Sequence, residues 1–554
     1  MANITATPIT RKAALIAAAS STAALLAGCD SQSQSKDSAG QVEDDGLLRI
    51  SIDAPLSLDP HQAADEASVV AVSQLFDPLM AFDYESGELT GRAALLYKMS
   101  DDAKTFTFTL RHGAFHNGDT VEAADFKRAW ERIVSPKSAA STELGASPVA
   151  YLLSLVAGYD ELAAGSATGL SGVEAADAKT LKVTLAQPFA EFATVLTHPA
   201  LSPVPADAEK DVAAFAKQPQ GNGAFKLTGA WKAGESIDLA LHEERAGTSA
   251  FVDGCHLVVR KSVSDAYKDF QAKKLDVVSV PAGQAADVLG DNNAAGDGMT
   301  LASDARVAMG ADLTTYMLSF NCRREPLDSA GVRRALSQAI DREGLCEELY
   351  HDLRVAATGV IAPALAPSDE AWPYTALDAA AAREGLETAW PIDSGDTRAL
   401  TVFYDEEGSA EDVLKYLKKA FAKVDVTLEL KGLSWKKLKS RLSAGEYDMA
   451  YMAWTPDYPS ADAVLYPLFL SENGQNVSGY AADDVDAALA EARSTVDTEA
   501  RVQAYAKVDA LVAEACPVAP ISHGSITALA GEAVVSLTVD PAHVPHLDQA
   551  ETNL

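Results

Sequence analysis

The stretch "MAWTPDYPSAD", Met452 to Asp462, sets an indole, two prolines and a carboxylate beside a phenol at the end of an apolar run. Tyr447 to Ala453 reads as a short buried strand, which the prolines stop and turn rigidly. Trp454, Asp457 and Tyr458 at such a turn have two readings. They form a capped loop packed on the core, or they form the wall of a ligand cleft. Catalytic chemistry has little support elsewhere. The chain contains no G-x-x-x-x-G-K-[ST] phosphate loop and no G-x-G-x-x-G turn. It contains no G-x-S-x-G nucleophile elbow. "HEERA" at His242 lacks the second histidine of H-E-x-x-H. His112 and His116 flank a turn and read as two surface histidines on a loop rather than a metal pair. The expectation is a binding protein, not an enzyme, with no cofactor and no metal.

Such a turn needs a scaffold. At 554 residues the chain is too long for one ordinary core, so two or three domains are expected. "KTFTFTLRHGAFHNGDTVEAADFKRAWERI", Lys104 to Ile133, alternates Phe106, Phe108 and Leu110 with threonines, the pattern of a half-buried strand. A turn at "HNGD" follows, then helical spacing at Val121, Phe126, Ala129, Trp130 and Ile133. Lys179 to Ala200 repeats strand then helix. Leu47 to Ala54 reads as a first strand, and Ser68 to Phe82 as an apolar helix stopped near Pro78. Thr314 to Asn321 is a strand leading to one helical face at Val332, Leu336, Ala339 and Ile340. Further on, Arg398 to Glu406 is a strand, and a helix from Ser409 carries Val413, Leu417, Phe421 and Val424, with a Ser-x-x-Asp cap. "VTLELKGLSW" and "YDMAYMAW" are further strands, Asp483 to Ala515 holds two amphipathic helices, and "VAPISHG" is a buried strand. No internal repeat is present. The class is α/β with mixed sheets.

The N-terminus reads as an export signal. Arg11 and Lys12 precede the fifteen-residue apolar run Ala13 to Ala27, which is shorter than the ~20 residues a membrane-spanning helix needs. The run ends in "LAGC", Leu26 to Cys29, which resembles a bacterial lipobox; that resemblance implies cleavage before Cys29 and a lipid on its thiol. Asp30 to Gly46 is polar and aperiodic, a flexible tether. The formal net charge is −34, and −36 once residues 1–28, with two bases and no acid, are removed. That charge repels nucleic acid and anionic lipid. Beyond Cys29 the cysteines are Cys255, Cys322, Cys346 and Cys516. An exported chain can pair them in three ways, with Cys322–Cys346, the nearest in sequence, preferred.

"FTFTLRHGAFHNGDTVEAADFKRAWERIVSP" closely resembles the family 5 solute-binding proteins of ABC importers. "SLDPH" at Ser57 to His61, "HPALSPVP" at His198 to Pro205, "GNGAFKL" at Gly221 to Leu227 and "FNCRREPLDSAGVRRALSQAIDRE" at Phe320 to Glu343 follow in the same order. The Trp, Gly-x-Tyr-Asp and Trp-x-x-Asp-Tyr-Pro pattern closes the set between Trp435 and Pro459. The nearest branch is similar to the oligopeptide-binding proteins. The resemblance implies a three-domain periplasmic-binding-protein-like clamp with a discontinuous first domain: lobe I at 47–76, 205–313 and 523–554, domain II at 77–204 and domain III at 314–522. Residues 1–28 and 29–46 are signal and tether. It also implies a monomer that captures an oligopeptide and delivers it to separate permease and ATPase subunits. Asp457 would meet the ligand's α-ammonium, a cation that must find an anion once out of water. Trp454 and Trp435 would line side-chain pockets, and Tyr458 completes the ligand-binding set. Other members carry dipeptides, nickel chelates, haem or oligosaccharides, and related receptors sense peptide pheromones without transport. Two arginines of well-known oligopeptide binders align with Leu442 and Tyr451, and a glutamate with Ala64, beside Asp65 and Glu66. Recognition of a peptide C-terminus is therefore left open. Lys436, Lys437, Lys439 and Arg441 read as the solvated face of a helix.

Overall fold

The computed structural model describes residues 46–246, 250–351, 353–367, 370–393, 396–408 and 410–554. The signal, the tether up to residue 45, Cys29 and the Ser409 cap lie outside the described residues. Strand β1 (Leu48–Ile52) runs into a turn capped by Asp59, and helix α1 (Glu66–Leu75) is capped by Asp65, whose side chain accepts from the Ser68 N–H. The helix stops at Leu75, well short of Phe82. Asp77 precedes a proline, which disfavours helical backbone, and Met80–Asp83 forms a strand instead.

Strand β2 (Thr105–Leu110) buries Phe106, Phe108 and Leu110, as its alternation predicts. It sits second in a four-stranded antiparallel sheet with Ala94–Met99, Thr180–Thr184 and Val173–Asp177. Helix α2 (Ala123–Val134) lays Phe126, Ala129, Trp130 and Ile133 into the same core, and the Trp130 indole donates to the Leu201 carbonyl at 2.9 Å. The block Lys179 to Ala200 gives its strand, but its helix shrinks to Phe192–Val195 between Pro188 and Pro199.

The larger sheet carries the rest. Strand β3 (Val307–Phe320) starts before the expected Thr314, because its first half pairs with the chain's tail. Helix α3 (Ala330–Gln338) carries Val332 and Leu336 of the expected face, while Ala339 and Ile340 fall in the link before helix α4 (Arg342–Tyr350), which Asp341 caps; all four residues are buried in one core. Strand β4 (Arg398–Asp405), helix α5 (Ala410–Ala422), strand β5 (Val426–Leu433), helix α6 (Trp435–Ala444), strand β6 (Met449–Trp454) and helix α7 (Asp462–Phe469) follow. Two helices, Asp483–Ser494 and Thr498–Ala515, lead to strand β7 (Val518–Ala530).

The sheet order is β5-β4-β6-β3-β7, then Val277–Ser279, β1, Gly254–Val259, Ile237–Leu241 and Phe225–Leu227. β4 is parallel to β5 and β6, whereas β3 is antiparallel to β6 and β7. The tail strand β7 thus returns beside the N-terminal strands through Val277–Ser279. This is a mixed α/β clamp with a discontinuous first lobe. On one face of the β3–β6 region Leu318, Val402 and Leu417 form a core; on the other Met317 packs with Leu465, Leu489 and Val512.

No disulfide joins Cys255, Cys322, Cys346 or Cys516, which corrects the Cys322–Cys346 pairing. Cys255, Cys346 and Cys516 are buried and pack as small hydrophobes. The Cys322 thiol donates to the Phe320 carbonyl. Burial pushes the Cys322 thiol up to about 11 and that of Cys516 to about 12, which suppresses the thiolate that exchange requires.

Candidate functional site

The parallel strands β4, β5 and β6 aim their carboxyl ends the same way, and ligands of open α/β sheets bind outside such ends. Trp435 lies two residues beyond β5, Trp454 ends β6, and Asp457 lies three residues further on. The turn carrying Asp457 is fixed from behind. Tyr458 donates to Asp462 Oδ2 at 2.9 Å, and Tyr505 donates to Asp462 Oδ1 at 2.9 Å. Arg493 lies 3.3 Å from the same carboxylate. The Ser460 hydroxyl donates to Glu191, which also pairs with Arg501 at 3.2 Å. Burial, followed by the Asp462 charge, holds the Tyr458 phenol far above its usual range.

With its neighbours so committed, Asp457 is left exposed, and its one described side-chain partner is the Tyr151 hydroxyl, which donates to Oδ2. Burial and then the Asp457 charge push the Tyr151 phenol strongly upward. His198 is held below its ordinary value by burial, against the opposing pull of Asp457.

Asp457 and Tyr458 line a cavity of about 380 Å³ whose remaining walls come from four other parts of the chain. Glu66 and Ser73 belong to α1, Arg92 and His198 to the region around the four-stranded sheet, Thr314 to β3 and His543 to the tail. Arg92 bridges Asp77 at 2.7 Å and Asp548 at 2.8 Å, and Arg245 bridges the same two acids at 3.1 and 3.0 Å, which ties the tail to the cavity wall. His543, at the left-handed φ of 62°, bonds Asp312 Oδ2 at 3.0 Å and lies 3.7 Å from Glu66. Burial works against its proton, but Asp312 and Glu66 outweigh it and raise the imidazole.

The other sequence-derived residues lie outside the lining of this cavity. Trp454 is half-buried, its indole N–H committed to the Ala463 carbonyl at 2.9 Å. Trp435 is 52% exposed at the start of α6, with the Lys439 ammonium 5.4 Å from its ring centroid. Lys436, Lys437, Lys439 and Arg441 are exposed, as a solvated helix face requires. His112 is exposed, but His116 is not a surface residue. It packs edge-on to His242 at 4.7 Å, accepts from the Gly221 N–H, and burial drives it down to about 3. Among the described residues no group of three or more His, Cys, Asp or Glu could hold a metal ion.

Tyr151, His198 and His543 were missed as site residues. "PVAYLLSL" around Tyr151 reads as plain core, and nothing local to it announces a carboxylate 306 positions away.

The cavity thus gathers charged groups, Glu66, Arg92 and Asp457, with His198 and His543, beside apolar walls from Val69, Phe76 and Met80. Residues 88–476, more than half of the chain, match the family described as bacterial extracellular solute-binding proteins, family 5. The chain belongs to that family. It is 26% identical over 502 residues to the oligopeptide-binding protein OppA of Bacillus subtilis, covering 88% of each chain. The dipeptide-binding protein DppE of the same organism is 26% identical over 521 residues, covering 90% of each. The crystal structure of Haemophilus influenzae OppA with the peptide RPPGFSPFR superposes with a TM-score of 0.70 at 24% identity, over 92% of this chain and 100% of that one.

Proposed function

We propose that this protein is a lipid-anchored, extracytoplasmic binding protein that captures oligopeptides between its lobes and delivers them to an ABC importer. The observation that carries the reading is Asp457: a carboxylate exposed to a 380 Å³ cavity while every polar neighbour on its turn is already committed. That volume lies within the range of small-ligand sites, about 300–1,000 Å³. The peptide's α-ammonium replaces or joins the Tyr151 hydroxyl at Asp457. Affinity then comes from strand-like main-chain hydrogen bonds, and side chains reach Trp454, Trp435 and Tyr458. The names of the relatives favour peptides over sugars or chelates. The mature protein acts as a monomer, passing its ligand to permease and ATPase subunits.

In this reading the portion 314–522 closes on the rest about the strand crossings near 313–314 and 522–523. Small-angle scattering is expected to show a smaller radius of gyration when ligand-stripped protein is saturated with a pool of synthetic tri- to pentapeptides. An unchanged radius at saturation, with binding verified by calorimetry, overturns the clamp mechanism.

The anchor is separately testable. No helix among the described residues is long and apolar enough to cross a membrane. Cys29→Ser is expected to abolish lipid labelling and move the protein from the membrane fraction to the soluble one. A variant that stays in the membrane until detergent is added removes the lipid anchor from the proposal.

A further inference from the structure

Among the described residues three histidines line the cavity, and they are not alike. His543 bonds Asp312 at 3.0 Å, and His546 bonds Asp540 at 3.1 Å. Burial opposes their protons, but the paired carboxylates outweigh it and raise both imidazoles. His198 has no carboxylate bond. It is 8% exposed and caps the short turn Pro199–Leu201, where its Nδ1 accepts from the Ala200 N–H at 3.2 Å. Its own main-chain N–H and carbonyl are committed to Val195 and Leu201. Among the described residues its Nε2 has no hydrogen-bond partner. A ring nitrogen that accepts carries no proton, so the neutral ring is the tautomer with hydrogen on Nε2. Burial keeps the ring neutral against the pull of Asp457, and a second proton would displace the Ala200 N–H from Nδ1. The cavity wall therefore holds a buried neutral N–H donor with no acceptor of its own. An unpaired buried donor costs free energy, which a bound acceptor relieves.

The neighbouring charge says what that acceptor is. Asp457 acts on His198 and lines the same cavity, but its side chain is bonded to the Tyr151 hydroxyl and not to His198. A peptide whose α-ammonium sits at Asp457 carries its first carbonyl oxygen only two carbons from that nitrogen. This oxygen is the acceptor near the ammonium that every peptide has, whatever its side chains. A protonated imidazole here would repel the ammonium, whereas a neutral donor does not.

We infer that His198, as its Nε2–H tautomer, donates to the first main-chain carbonyl of the bound peptide and with Asp457 fixes the peptide's N-terminal residue. The inference rests on the peptide reading above, and the experiment separates the two. Pools of synthetic tri- to pentapeptides with free N-termini are made in three forms of identical sequence: all ordinary amides, a thioamide at the first peptide bond, and a thioamide at the second. A thioamide keeps the plane and the N–H, but its sulfur is the weaker acceptor. Each thioamide pool is offered in turn against an equimolar ordinary pool to the full, ligand-stripped protein, and uptake is read by native mass spectrometry. The wild type is expected to take ordinary peptides over first-bond thioamides by about fivefold or more. His198→Asn keeps an acceptor for the Ala200 N–H, since asparagine caps helical turns, but has no group at the Nε2 position. It is expected to melt close to the wild type and to lose the first-bond preference, while its second-bond preference stays that of the wild type. His198→Gln brings an amide N–H to the Nε2 position and is expected to retain the first-bond preference. If the Asn variant is not folded, the Gln variant carries the comparison, and loss of the preference in it overturns the assignment. A wild type that takes ordinary and first-bond thioamide peptides equally leaves the peptide reading standing and removes His198 from it, as does a first-bond preference surviving in the Asn variant. Uptake of no pool overturns the peptide reading and this inference with it.

Discussion

Asp457→Asn is expected to weaken binding of peptides with a free N-terminus by about a hundredfold or more while the fold stays intact. Removing one partner of a desolvated ion pair leaves the other charge buried alone, which costs roughly 3–5 kcal/mol. The substitution keeps an acceptor for the Tyr151 hydroxyl, so the lost quantity is charge rather than the contact seen without ligand. N-acetylated peptides lack the cation. The wild type should therefore reject them, and the Asn variant should discriminate far less. If Asp457 only capped its turn, the variant would melt lower and lose a small, equal amount for both peptide kinds. Calorimetry on the two proteins with matched free and acetylated peptides decides. Equal wild-type affinity for both peptides removes Asp457 as the ammonium partner.

The second large effect concerns stability. Arg132 of α2 holds Asp59 through two 2.6 Å hydrogen bonds, with the two side chains 2% and 0% exposed, and holds Glu209 through a third at 2.6 Å. Asp59→Ala is expected to destabilise the protein by about 3–5 kcal/mol in urea denaturation, since Arg132 would keep only Glu209 at a buried site. Asp59→Leu with Arg132→Met should recover much of the loss, because a buried pair replaced by apolar groups is often nearly neutral. The exposed pair Lys210–Asp207 makes the contrast. Its removal should cost less than about 1 kcal/mol. A loss at Asp59→Ala no greater than at Lys210→Ala contradicts the importance of the buried pair.

Local pattern carried most of the fold. The strand at Thr105–Leu110 and the helix at Ala123–Val134 follow from spacing alone, because each puts one apolar face on one core. Limits set by distant partners did not show. β3 is longer than its own apolar run because β7 supplies hydrogen bonds to Val307–Ala311, and those residues have no periodicity that forces a strand. The helix after Asn321 breaks at Asp341, whose capping role competes with an uninterrupted apolar stripe. The Asp457 turn was legible because prolines, indole and acid are contiguous. Tyr151, His198 and His543 were not, since Tyr151 meets Asp457, and the two histidines line the cavity, from separate segments that look locally like core or loop. The cysteines misled because sequence proximity says nothing about whether two thiols meet.

The position of β7 sets a schedule for making the molecule. It lies between β3 and Val277–Ser279 and so joins the two halves of the large sheet, yet it is among the last strands to leave the ribosome. At ~5–20 residues per second, roughly 25 to 95 s separate synthesis of Leu48 from that of Val518. Throughout that interval the N-terminal strands and β3 lack the neighbour that unites them. Until Val518–Ala530 has been made, the two halves of the large sheet stay unjoined, so closure of that sheet waits on β7.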